Sequence, residues 1–117
     1  MLIYRCSKEE LQNKKLMKCE VKKMYHYKKL NSMPYAQCTV RIYDDGDMDM
    51  ISYVTPVILI RDGWLECTGT YSATTRRHIG NFMREYNLGD YYLAKNLYLS
   101  GKKMNIYTGE IKNVLEP

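Results

Sequence analysis

Between Tyr71 and Tyr86 the apolar positions recur with a helical period. Ile79, Phe82, Met83 and Tyr86 stand at i, i+3, i+4 and i+7, so four large side chains share one stripe that must face a core. A hydroxyl-rich start, Ser72 to Thr75, precedes the stripe, and Asn87-Leu88-Gly89 ends it. Asp90 can cap a second, shorter helix through Leu99, with Ala94, Leu97 and Tyr98 inward and Gly101 as its C-terminal stop.

The middle of the chain has a period of two. Asp45-Gly46 and Asp62-Gly63 each lie between runs of β-formers, and each is a two-residue hairpin signal. Closing the second hairpin pairs Ile60 with Leu65 and Ile58 with Cys67 on a core-like face. Arg61 then meets Trp64, and Leu59 meets Glu66, on the other face, where Arg61 and the sole Trp can form a cation-π contact. Pro56 cannot donate to a ladder and should sit at a bend or edge between the hairpins.

Toward the N-terminus, Ser7-Lys8-Glu9-Glu10 reads as a capping box opening a short helix. An extended segment with Cys19, Val21, Met24, Tyr25 and Tyr27 follows, and Asn31 to Pro34 break the chain. A short extended piece from Met104 to Tyr107 and a turn at Thr108-Gly109 close it. The expectation is therefore an α+β fold: an antiparallel sheet of about four strands, from the two Asp-Gly hairpins, with two or three helices packed on one face. The chain reads as a single domain over 1–117, with a basic segment 1–33, hairpins 35–71, a helical pair 72–100 and a tail 101–117.

Composition agrees with one core, since 117 residues with 45% hydrophobic content suit one domain and not two. Twelve Tyr and eight Met against one Phe and one Trp make much of the core and rim amphipathic or flexible, a surface that adapts to partners. The net charge of +5 is unevenly spread: residues 1–33 carry +6, 34–70 carry −4 and 71–117 carry +3. Basic ends attract polyanions such as nucleic acid or nucleoprotein, and an acidic middle suits a protein partner. Cys6, Cys19, Cys38 and Cys67 lack zinc spacing, and the charged start MLIYRCSKEEL lacks a signal-peptide core, so reduced thiols in a cytoplasmic protein are expected. PVILI is far too short to span a membrane.

The most specific candidate surface is cationic. Arg77, Asn81 and Arg84 fall at i, i+4 and i+7 with Arg76 beside them, a rigid row suited to phosphates or carboxylates near the hydroxyl-rich helix start at Thr74. Arg76, Arg77, Asn81, Arg84, Thr74, Trp64 and Arg61 are the predicted partner-binding residues. Asp44, Asp45, Asp47 and Asp49 are dense but alternate along a hairpin, and a calcium loop starting at Asp45 would find Met50 and Pro56 where Gly and Glu belong. His78 should resist protonation beside two arginines, yet no nucleophile accompanies it. The YHY of KKMYHYKK interleaves rings with lysines, a pattern that can stack bases and also describes any half-exposed strand. The short helical pair invites a helix-turn-helix comparison, but the arginines lie on the wrong helix for it. No cofactor, metal or catalytic set is predicted.

SYVTPVILI, GTYSATTRRHIGNFMREY, LAKNLY and IYTGEI together resemble a family of small uncharacterised proteins from phages, plasmids and integrative elements of Firmicutes, with the motif YSxTTxxHIxxFxREY. The resemblance spans Asp44 to Ile111 and implies no activity or catalytic residue. It implies the context of a mobile element. The expected function is a non-enzymatic accessory protein that binds and inhibits a host protein or ribonucleoprotein complex, such as a CRISPR nuclease. The alternative is a small basic DNA- or RNA-binding protein of the element.

Overall fold

A computed structural model describes residues 2–5 and 20–117. Strands β1 (Leu2–Arg5) and β2 (Glu20–Lys23) pair antiparallel as a two-stranded sheet. The main sheet is a seven-stranded antiparallel meander: β3 (Tyr25–Lys29), β4 (Cys38–Tyr43), β5 (Met48–Ser52), β6 (Thr55–Arg61), β7 (Trp64–Cys67), β8 (Lys102–Asn105) and β9 (Ile111–Asn113), in that spatial order. Helices α1 (Ala73–Glu85) and α2 (Tyr91–Ser100) interrupt it between β7 and β8 and pack on one face. The expected four-stranded sheet is thus corrected: the fold is α+β but dominated by strands. The short helix expected near Lys8 lies outside the described residues.

The reason for the three extra strands is physical. Every residue of β3 is exposed, so this edge strand carries no buried alternation to announce it. Strands β8 and β9 are four and three residues long and rich in Lys and Asn, and β8 pairs with β7 only after both helices have intervened.

The hairpin at Asp62-Gly63 has the expected register, with Ile58 opposite Cys67 and Arg61 opposite Trp64. Asp62 (φ 52°) and Gly63 (φ 83°) are both left-handed, as a two-residue primed turn requires. The Asp45-Gly46 hairpin is instead joined by four residues, with Tyr43 and Gly46 amides donating to Asp47 and Tyr43 carbonyls. A third hairpin joins β5 to β6 at Tyr53-Val54. Pro56 stands opposite Ile51, where the register shifts beyond Met50, so the missing amide falls at a bulge.

Inward residues of β4 to β7, among them Val40, Met50, Ile58, Ile60 and Leu65, meet Ile79, Phe82 and Met83 of α1 and Ala94 and Leu97 of α2 in one fully buried cluster. Ser72 caps α1 by accepting from the Thr75 amide; Asp90 caps α2 by accepting from Leu93, and Gly101 (φ 66°) ends it. Tyr98, expected inward, is exposed. Among the described residues, no helix lies against the opposite face of the sheet.

Candidate functional site: a cationic groove between the helices

Ala73, Arg76, Arg77, Gly80 and Arg84 recur at helical spacing along one side of α1. With Tyr91, Tyr92 and Lys95 of α2 they line a groove of about 480 Å³. Four cations and two tyrosines line it, without a carboxylate. Among the described residues, none of the four cations is held by an ion pair. Neither helix has an acidic residue in its first turn, and Arg76 and Arg77 stand close to the positive end of the α1 dipole. Folding therefore concentrates like charge that an anion would relieve. Gly80 makes the crossing narrow: a Cβ there would lie 3.6 Å from Cβ of Tyr91 and 3.4 Å from a guanidinium nitrogen of Arg84.

The predicted residues divide among three places. Arg76, Arg77 and Arg84 line the groove, while Thr74 stands half-buried in the first turn of α1. Asn81 turns away, donating to the Arg77 carbonyl and accepting from the Ser32 hydroxyl at 3.0 Å. Beside it, Glu85 accepts from the Asn31 and Ser32 amides, so this part of α1 clamps the turn between β3 and β4. Arg61 and Trp64 lie across the sheet, facing away from the helices. Arg61 pairs with Asp49 at 2.7 Å and sits over the Tyr43 ring, whereas Trp64 is covered by Lys112 at 4.1 Å and Lys103 at 5.7 Å. Tyr91, Tyr92 and Lys95 were not foreseen, because charge and ring positions on α2 become part of the site only once the helices cross.

The aspartates are consumed by the fold. Lys23 pairs with Asp45 at 3.0 Å and with Asp47, and the Asp45 carboxyl is held below its ordinary range by that hydrogen bond. Asp47 also accepts from the Asp62 amide at 2.9 Å, tying the two Asp-Gly turns together. Asp49 is buried between Arg41 and Arg61 and accepts from the Tyr43 hydroxyl. Among the described residues no group of three or more His, Cys, Asp or Glu side chains is placed to hold a metal ion. Cys38 and Cys67 are buried free thiols, and burial pushes the Cys38 thiol up to about 11.

His78 does have a hydroxyl partner, which the sequence conceals. Ser52 Oγ lies 2.8 Å from His78 Nδ1 and 2.9 Å from Thr75 Oγ1. The distance would suit a nucleophile and its base. All three side chains are buried, however, so no substrate carbonyl or phosphate can approach Ser52, and the arrangement works as a bolt between β5 and α1.

Fold and groove together define a sheet-rich α+β protein with an unneutralised cationic surface and no described helix long and apolar enough to cross a membrane. The chain belongs to a family of unknown function, DUF8033, which matches residues 19–100. No curated protein and no solved structure matches the chain.

Proposed function

We propose that this chain is a non-enzymatic nucleic-acid-binding protein of a phage or other mobile element, acting in the bacterial cytoplasm, and that the α1–α2 groove receives phosphates. One observation carries the reading: Arg76, Arg77, Arg84 and Lys95 converge without a carboxylate. Within the acidic middle, which in the sequence spoke for a protein partner, Asp45, Asp47 and Asp49 are engaged internally by Lys23, Arg41 and Arg61.

Titration of labelled DNA and RNA at several salt concentrations tests this. Each phosphate contact contributes about 0.9 to the slope of log affinity against log salt on duplex DNA, so a groove using three or four cations gives a slope of roughly −3 to −4. Arg77→Gln/Arg84→Gln should make it shallower by about 2. Salt-independent binding, or none, rejects the reading. The nucleic acid should emerge uncleaved in magnesium, manganese or EDTA; metal-dependent cleavage would remove the non-enzymatic part.

A second reading is favoured by exposed Tyr92 and Leu99 on α2, since tyrosine and arginine together suit a protein interface. In it the protein docks on a host nucleic-acid-handling complex, a CRISPR nuclease for example, and inhibits it. Inhibition would then saturate at one-to-one stoichiometry, because occupying a surface allows no turnover.

A further inference from the structure

The face of the sheet turned away from α1 and α2 has its own chemistry. On β3, Lys28 opposes core residue Val40, so Tyr25, Tyr27 and Lys29 point the other way, opposite Tyr43, Arg41 and Thr39. Tyr25 and Tyr27 are 50% and 55% exposed, and their rings meet edge to face at 5.5 Å. The Arg41 guanidinium carbon lies 5.3 Å and 5.5 Å from the two ring centroids. Arg41 is held by the Tyr43 hydroxyl at 3.2 Å and by Asp49 at 3.6 Å, which fixes the guanidinium beneath the rings before any ligand arrives. Beside this group a cleft of about 410 Å³ opens between Tyr27, Arg41 and Ile51 on one side and Tyr53, Val54 and Pro56 on the other.

We infer that Tyr25, Tyr27 and Arg41 form a stacking platform for the unpaired bases of a single-stranded nucleic acid, separate from the interhelical groove; this rests on the reading of the protein as a nucleic-acid binder. Exposed π faces accept any base, while Lys29 on the same face of the strand supplies charge for an adjoining phosphate. A duplex keeps its bases stacked inside and gains nothing from the rings. A carbohydrate would want uncommitted carboxylates, and Asp49 is buried and already paired. The platform therefore selects strandedness, whereas the groove selects charge.

Fluorescence anisotropy with a labelled single strand and the duplex of the same sequence tests the platform in Tyr25→Leu/Tyr27→Leu, which keeps apolar bulk on the strand. Single-strand affinity should fall roughly ten- to a hundred-fold, the size of losing one base stack, while duplex affinity stays the same. Unchanged single-strand affinity in a variant with the parental melting curve overturns the platform, as does a parent that binds no single strand. The groove variant Arg77→Gln/Arg84→Gln separates the two sites. Tyrosine-dependent single-strand binding that survives in it supports the platform even if the groove reading fails. Single-strand binding lost in the groove variant but kept in the tyrosine variant overturns the platform alone.

Discussion

Ser52 on β5 and His78 on α1 meet at 2.8 Å in the interior, and a row of hydroxyls continues from them. Ser72 donates to Thr75 at 3.3 Å, and Thr75 Oγ1 lies 2.9 Å from Ser52 Oγ, so each of these oxygens has a hydrogen-bond partner. The Tyr53 ring, at a left-handed turn residue, lies 5.8 Å from the imidazole. This hydrogen-bonded contact fixes the helix to the sheet.

Acid should loosen it. Burial, helped by Arg77 and Lys29, holds the His78 imidazole below its ordinary value of 6.5. Above that pH the folded and unfolded chains carry the same neutral ring, and no stability is at stake. Below it, the unfolded chain takes up a proton that the folded chain refuses, so stability falls until the folded value is reached. The thermal midpoint should therefore drop between about pH 7 and pH 5, and His78→Gln should flatten that slope while lowering the plateau. Ser52→Ala should cost about 1 to 3 kcal/mol by leaving buried polar atoms unpaired. A pH profile identical in His78→Gln would assign the slope to other groups.

Phe82 is the chain's single phenylalanine, fully buried at the centre of the α1 stripe and 5.0 Å from the Tyr86 ring. Phe82→Ala should destabilise by about 3 to 5 kcal/mol, a large share of a small domain's stability. Chemical denaturation measures it; a loss under about 1 kcal/mol would mean that the cavity collapses around the missing ring.

Why some of this was readable from residues, and some not, depends on how local the signal is. The α1 stripe and the Asp62-Gly63 register are fixed by neighbours a few positions apart, and Ile79, Phe82, Met83 and the pairing of Ile58 with Cys67 follow directly. Tyr86 is only partly buried, because it is already the C-cap. The groove was half legible: Arg76, Arg77 and Arg84 share a helix, but Lys95 and the two tyrosines join them only across a helix crossing. Asn81 has the right spacing for the row and a different task, since the Ser32 turn folds against it. The pairing of Lys23 with Asp45 and Asp47, and of Arg41 and Arg61 with Asp49, depends on sheet order and left no mark in sequence spacing.

Asp49 should matter to the fold rather than to binding. It joins β4, β5 and β6 through Arg41 and Arg61, and its replacement leaves two guanidinium groups together over the tyrosines. Full burial of a broken pair costs about 3 to 5 kcal/mol; both arginines keep solvent access, so Asp49→Asn should cost about 1 to 3 kcal/mol. Added salt should recover part of the loss by screening the remaining repulsion. A variant as stable as the parent at low salt would show that the arginines separate at little cost.

Gly80 sets helix stability against the shape of the groove. It lies buried inside α1, where glycine is less favourable than alanine by up to about 1 kcal/mol. A Cβ would meet Tyr91 at 3.6 Å, an ordinary contact, and Arg84 at 3.4 Å, where a flexible guanidinium can yield. Gly80→Ala should therefore raise stability by roughly 0.5 kcal/mol, the propensity gain less the small adjustment. Arg84 would have to give way slightly across the glycine, so the arrangement of charge in the groove changes without the loss of any charge. Affinity for duplex nucleic acid should fall several-fold while the salt slope, which counts cations, stays close to the parent's. A parallel fall in slope would mean that Arg84 no longer reaches phosphate at all, and unchanged affinity would show that its position over Gly80 is irrelevant to binding.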